Sequence, residues 1–481
     1  MRRVLIAVLC SVASPAVAQN LPLASVQSEL QKLVKTGPLE HSKTGLYVYS
    51  LSKDRVVFAH NENTLLSPAS NTKIITSAAA LHVLHPEYRF KTEVYADGGV
   101  KNGTVTGNLY VKGYGDPSLV SERLWFLANE MAAAGLRHVT GDIIGDDTFF
   151  DERRQEDGWN EDKSDEPYQA MVSALSVNFG TLTVRLLPAA TVGGQAQVTL
   201  DPPVLFAQID SQVSTDLGKR SKVAIDVTPL GSSRNTVKVR GHVNIDDGGH
   251  AYWRKVDYPT EFAVSAVAAF LKKAGIVIDG QEKRGTTPGT AILVTAVESP
   301  RLSEIVDDLN KTSNNFVAEM ITKTLGAEVY GAPGTWEKGL RVLRDYMGEL
   351  KLEQGSFILR NGSGLGDVNR VTSKQIVAVL RGAYLDAPSA PEFMSSLGVA
   401  GSTGTLRHRM IGTPAQYRVR GKTGSLANAC TLSGYVSSVG GEQLAFSILV
   451  NSFKSMHAVH EAQDKIAEAL AELDDRAPAS H

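Results

Sequence analysis

The middle of this chain interrupts a pattern that its two ends share. Alternating apolar residues at 46–50 and Arg55–His60, and again at 417–419, 430–436 and 443–450, read as strands. Helical periodicity fills Leu23–Val34, 66–84, 260–275, 303–325, 335–350 and the final segment. From residue 88 to about 249 the texture changes to short β-rich runs such as 92–95 and 109–111. Asp97-Gly98-Gly99, Asn102-Gly103, Gly193-Gly194 and Asp247-Gly248-Gly249 punctuate them as turns. Strands at both ends with helices between them predict one α+β domain, with the β-rich region inserted into it.

Composition bounds the rest. The 481 residues are 42% hydrophobic and 21% charged, which excludes a disordered or collagen-like chain and allows about three domains or one domain with insertions. Basic and acidic side chains number 49 and 51, for a net charge of −2, so no basic surface for nucleic acid is expected. The ten carboxylates between Asp146 and Glu166 have no ligand spacing and read as a solvated loop, not a metal site.

The first residues have the layout of a secretory leader: Arg2 and Arg3, an apolar run over 4–12, then Ala16-Val17-Ala18 as a small-x-small cleavage site. The expected signal peptide is 1–18 and the expected compartment periplasmic or secreted. The apolar run falls short of the ~20 residues that span a bilayer, and no later stretch is long and apolar enough, so no transmembrane anchor is expected. Bulky Leu9 before Cys10 argues against lipid modification. Cleavage would take the net charge from −2 to −4 and leave Cys430 alone, so the core must carry stability without an internal disulfide.

Ser70-Asn71-Thr72-Lys73 places a hydroxyl and an amine at i and i+3, on one face of a helix start. A serine hydroxyl is a weak nucleophile until a base takes its proton, and a lysine can do so when burial and a second cation keep it neutral. Alone, the pattern carries little. Ser50-Leu51-Ser52-Lys53 also fits it, Lys-Thr-Gly occurs at Lys35, Lys43 and Lys422, and Ser-x-Asn occurs at Ser176, Ser233 and Ser313. Context separates them. Ser313-Asn314-Asn315 sits between two helical segments, whereas Ser176 and Ser233 lie in strand-like surroundings. Lys422-Thr423-Gly424-Ser425 falls at the junction of two strand-like runs, the Lys35 copy is followed by Pro38, and the Lys43 copy precedes the candidate nucleophile.

Ser-x-x-Lys, Ser-x-Asn and Lys-Thr-Gly in this order resemble the set of the penicillin-binding proteins and serine β-lactamases. Pro68-Ala69 before the serine, Asn361-Gly362-Ser363-Gly364-Leu365, Gly404-Thr405-Leu406 and Leu426 after Ser425 bring the likeness to the low-molecular-mass class C D-alanyl-D-alanine carboxypeptidase/endopeptidases. Ser313 follows Lys73 by 240 positions, room for the domains that this family inserts between the first two motifs. The resemblance implies a transpeptidase-like domain (antiparallel sheet with flanking helices) over 19–90 and 288–476. An inserted domain over 91–167 and 247–287 and a nested β-rich domain over 168–246 complete the expected layout.

The same resemblance implies a serine DD-peptidase acting on peptidoglycan stem peptides, with β-lactams as covalent inhibitors and with no cofactor or metal. Ser70 would be acylated, Lys73 would be the base, and Ser313 would relay a proton to the leaving amine. Asn315 would orient Lys73 and the substrate amide. Lys422 would repel charge on Lys73 and, with Thr423, bind the terminal carboxylate; Gly424 would let the strand approach the peptide. The backbone N–H groups of Ser70 and Ser425 would form the oxyanion hole. Asn314 stands where Asp is frequent, with little effect expected. Two other readings stay open: a β-lactamase-type hydrolase, or a non-catalytic β-lactam-sensing or wall-binding protein. Against the first, Glu337-Lys338-Gly339-Leu340-Arg341 reads as an amphipathic helix and not as a water-activating motif. His457 and His460 read as surface or core histidines, Cys430 as a small buried hydrophobe, and 362–366 as a tight turn near the site.

Overall fold

Leu46 and Val48 near the start of the chain, and Leu432, Phe446 and Ile448 near its end, are all fully buried, and a single sheet brings them together. The computed structural model describes residues 20–156, 158–159 and 164–476, so the expected leader lies outside the described residues. The sheet has six strands, in the order Gly398–Val399, Val419–Leu426, Ala429–Ser437, Gln443–Asn451, Lys43–Ser50 and Arg55–His60, and every pair is antiparallel. Ala429–Ser437 and Gln443–Asn451 are buried almost end to end instead of alternating, as central strands covered on both faces must be.

Helices Leu23–Val34 and Met456–Ala471 pack on this sheet. Val26, Leu30 and Val34 recur every four residues and form the buried stripe of the first; Val459, Ile466 and Leu470 do the same for the second. Burying each such leucine, isoleucine or valine contributes about 2 kcal/mol. Ser455 caps the second helix by accepting from the Ala458 N–H at 3.3 Å. With the described residues of Met1–Asn71, Val371–Arg381 and Leu397–His481, these elements form one compact unit.

Thr72–Arg370 and Gly382–Ser396 form a second unit. Its helices include Thr72–Leu84, Leu302–Thr312, Asn315–Tyr330 and Trp336–Glu349. Thr72–Leu84 is apolar or small around most of its circumference and is buried from Thr72 through Leu81, Lys73 included. The β-rich stretch, with strands His250–Lys255, Val277–Ile278, Glu282–Arg284 and Ile292–Glu298 that follow it, forms a five-stranded sheet, a four-stranded sheet of short strands and two three-stranded sheets. Leu109, Val111, Phe262 and Leu271 are among the residues of one apolar core there.

Three expectations change. The helix expected over 66–84 begins only at Thr72. Leu66 forms an isolated bridge with Val371, and Pro68, which lacks an N–H, precedes a 3-10 turn at Ala69–Asn71. Lys422 lies within the strand Val419–Leu426 and not at a junction, because Gly421 to Leu426 continue the ladder with Ala429 to Gly434. The acid-rich segment starts in the interior: Asp146, Asp147 and Glu156 are buried. Burial alone would raise the Asp147 carboxyl, but Arg154, the Thr260 hydroxyl and Arg284 hold it below the usual value, so paired cations replace the solvent. Ser176 lies in an irregular segment just ahead of the 3-10 turn Asn178–Gly180, and Ser233 in the hairpin turn between the paired strands Lys222–Leu230 and Arg234–Asn244.

Candidate active site

Ser70 occupies the middle of the turn Ala69–Asn71 and is half-buried. The turn is pinned on both sides. Asn71 is buried, donates to the Lys422 carbonyl at 2.7 Å and accepts from the Ser433 hydroxyl at 2.7 Å, while Thr431 donates to the Pro68 carbonyl at 3.0 Å. These bonds hold Ser70 against the strands Val419–Leu426 and Ala429–Ser437. Gly424 is the point of closest approach: a Cβ there would stand 2.8 Å from the Ser70 nitrogen, 3.0 Å from the Pro68 carbonyl and 2.4 Å from the Thr431 hydroxyl. Only a residue without a side chain allows the strand to pass so near.

Lys422 is fully buried, and its ammonium donates to the Thr423 carbonyl at 2.9 Å. Thr423 donates through its hydroxyl to that of Thr405 at 2.7 Å, which ties the strand to the Gly404–Leu406 turn. Ser425 follows on the same strand and is exposed. Ser70, Lys422, Thr423, Gly424 and Ser425 thus share one end of the six-stranded sheet and the turn bound to it.

Lys73 lies in the first turn of Thr72–Leu84 and is fully buried. Its Nζ donates to the Asn315 Oδ1 and to the Ser363 carbonyl, each at 2.7 Å. Burial lowers its pKa to about 7, against the opposing attraction of Glu319. Asn315 opens the helix Asn315–Tyr330, and its Nδ2 donates to the Tyr168 carbonyl at 3.2 Å, so the side chain is held from both ends. Ser313 ends the preceding helix with φ at +62°, and its N–H donates to the Leu309 carbonyl at 2.9 Å. A left-handed residue without a glycine permits an abrupt reversal here, which places Ser313 and Asn315 on one short connection. Asn314 between them is the N-cap of the following helix and accepts from the Val317 N–H at 3.2 Å.

Some contributors had no sequence signal. The Ser363 carbonyl on Lys73 belongs to the 362–366 turn, whose glycines mark the turn but not its partner. Glu319 belongs to none of the motifs, yet it is fully buried on a helix enclosed from Phe316 through Ala327, with the Gly362, Ser363 and Trp336 N–H groups on its carboxylate. Other candidates stay in ordinary roles. Glu337 is exposed on Trp336–Glu349 and pairs with Arg153, His457 is exposed and pairs with Glu461, and burial pushes the Cys430 thiol up to about 11. Among the described residues no group of three His, Cys, Asp or Glu side chains could hold a metal, and no helix is long and apolar enough to cross a membrane.

The family model described as D-Ala-D-Ala carboxypeptidase 3 (S13) matches residues 26–473. The chain belongs to that family. It is therefore a serine-type D-Ala-D-Ala carboxypeptidase, and the likeness read from its motifs extends over nearly the whole sequence. A D-alanyl-D-alanine carboxypeptidase of Actinomadura sp. (strain R39) is 35% identical over 476 residues, which span 96% of this chain and 87% of that protein. Among solved structures, penicillin binding protein 4 of Haemophilus influenzae matches with a TM-score of 0.79 at 22% identity, over 92% of this chain and 99% of that one; the same protein complexed with a β-lactam gives 0.72. A predatory peptidoglycan endopeptidase of Bdellovibrio bacteriovorus matches at 0.52 with 15% identity, over 88% of this chain and 90% of that one. The likeness in fold agrees with the α+β, transpeptidase-like architecture with added β-rich domains.

Proposed function

We propose that Ser70, Lys73, Ser313, Asn315 and Lys422 act together as the catalytic residues of this DD-peptidase. The observation that carries the reading is the state of Lys73: a buried amine, brought to about 7, with acceptors at 2.7 Å in Asn315 and Ser363. In the neutral amine two N–H groups face those acceptors, and the lone pair points away from both, available to take a proton.

Lys73 removes the Ser70 proton as Oγ attacks the carbonyl carbon of the penultimate D-alanine. The developing oxyanion is received by the backbone N–H groups of Ser70 and Ser425, where loss of one donor costs about 3 kcal/mol in the transition state. The C–N bond then breaks, and the proton held on Lys73 passes through the Ser313 hydroxyl to the leaving amine of the terminal residue. Water attacks the resulting ester, returns a proton to Ser70 Oγ and releases the shortened peptide. Lys422 and Thr423 bind the terminal carboxylate, and Lys422 also repels positive charge on Lys73. A cross-link to a diamino acid presents the same D-alanine carbonyl, so endopeptidase action follows the same steps. A β-lactam acylates Ser70 and leaves slowly.

The sequence signals favour a periplasmic location after removal of 1–18. They also favour an inserted domain over 91–167 and 247–287 enclosing a nested one over 168–246. Release of D-alanine from a pentapeptide, together with the site of labelling by a fluorescent penicillin, tests the chemistry. Both are expected to fall to background in Ser70→Ala. Labelling at any other residue, or rapid multiple turnover of the penicillin, would overturn the reading.

A further inference from the structure

Among the groups facing the turn that binds Lys73, Glu319 has no place in the steps above. Its Oε1 accepts from the Ser363 N–H at 2.7 Å; its Oε2 accepts from the Gly362 N–H at 3.1 Å and from the Trp336 indole N–H at 2.8 Å. A buried carboxylate requires such pairing. What matters is where the other edges of those peptide groups point.

A peptide group is planar, so fixing its N–H also fixes its C=O. The plane joining Gly362 to Ser363 is held at its N–H by Glu319 and at its C=O by the Thr76 hydroxyl, at 2.7 Å. The plane joining Asn361 to Gly362 is held at its N–H by Glu319 and at its C=O by the Asn369 amide, at 3.1 Å. The next plane carries the Ser363 carbonyl that meets Lys73, and its N–H donates to the Asn361 Oδ1 at 2.8 Å. Glu319 therefore controls the two planes that lead into the one contacting the amine. The turn also lies flat on the helix of Glu319: a Cβ at Gly362 would stand 1.9 Å from the Thr322 hydroxyl.

We propose that Glu319 is the positioning residue for the general base, fixing the 361–364 turn so that the Ser363 carbonyl aims the Lys73 amine. The inference rests on Lys73 being that base. Lys73 is the cation across the turn from Glu319. Behind Trp336 stand Lys323, whose Nζ is 4.3 Å from the ring centroid, Arg153 at 5.7 Å, and Asp151, which pairs with Lys323. Because the charge of Glu319 pulls the Lys73 ionisation upward against burial, charge and shape leave separate signatures.

The test is the rate of acylation by a fluorescent penicillin from pH 5 to 9 in the full chain, with thermal midpoints recorded alongside. Glu319→Gln is expected to move the acid limb to lower pH, and to lower the plateau at least about tenfold because the NH2 edge of its amide, a donor, must face at least one N–H that now meets an oxygen. Glu319→Asp keeps the charge and withdraws the oxygens, so its limb should stay with the wild type while its plateau falls at least about tenfold. An unmoved limb in Glu319→Gln, with a plateau reduced only by the unfolded fraction, would overturn the proposal. Should Glu319→Gln not fold, a folded Glu319→Asp decides: a wild-type plateau refutes the role, and a tenfold loss at unchanged penicillin affinity supports it. Lys73→Ala separates the two levels. If it keeps the wild-type plateau, the base assignment fails; if it does not, indifferent Glu319 variants refute the positioning role alone.

Discussion

A lysine that takes a proton at neutral pH must lose its charge inside the fold, and burial is the means available to Lys73. With the pKa lowered to about 7, acylation should rise with pH through a single ionisation near that value and level off above it, as a penicillin-labelling rate measured against pH would show. Stability should respond as well. Between about 7 in the folded chain and 10.5 in the unfolded one, the unfolded state binds more protons, so stability increases with pH across that window, by up to ~1.4 kcal/mol per pH unit for one such group. Below the lower value both states are protonated and the slope vanishes. Buried Lys323, also lowered, adds in the same direction. Urea denaturation from pH 7 to 9 should therefore show a rising stability that flattens in Lys73→Met; an unchanged slope would argue against a shifted lysine. At Gly424 the constraint is steric. Gly424→Ala sets a methyl 2.4 Å from the Thr431 hydroxyl and 2.8 Å from the Ser70 nitrogen, and is expected to destabilise by ~1–3 kcal/mol and to slow acylation.

Elements meet the site at their ends. The helix starting at Asn315 owes its first turn to Asn314, whose side chain satisfies the Val317 N–H, and Asn314→Ala should lower stability by about 1 kcal/mol in a denaturation titration. Asn314→Asp keeps the capping oxygen and adds a charge favourable at a helix N-terminus, so it should match or slightly exceed the wild type. The departure from the commoner aspartate thus bears on a cap and not on an acceptor for substrate. Most of these elements were legible. The Leu23–Val34 stripe, the hairpin around 51–54 and the break at 313–315 all follow from periodicity and turn residues. Two boundaries were not. Pro68 delays the helix to Thr72, and Lys422 sits inside a strand because the partner strand Ala429–Ser437 continues beside it. Strand length depends on what pairs alongside, which local pattern does not carry.

At the scale of the whole molecule, stability rests on buried apolar surface. Cys430 is buried in its strand, so the thermal midpoint of a chain beginning at residue 19 should be insensitive to reductant. The β-rich stretch carries exposed turns far along the chain from the motifs proposed as catalytic, such as 217–220 between Ala207–Asp216 and Lys222–Leu230. Limited trypsin treatment should nick at Lys219 or Arg220 first and leave penicillin labelling intact; loss of labelling in step with the nick would show that the β-rich region supports the site.

The sequence by itself determined the class of fold, the interruption of the helical and sheet-forming ends, and which serine, lysines and asparagine to watch, because periodicity and short motifs are local properties of the chain. The tertiary structure alone decided what surrounds them: that Asp146 and Asp147 are buried against Arg154, Arg284 and Lys112, and that Lys73 is fully enclosed. It also decided that an acid on a helix, Glu319, holds the turn that receives the amine. Desolvation and hydrogen-bond geometry depend on neighbours distant along the chain, and no local pattern of residues contains them.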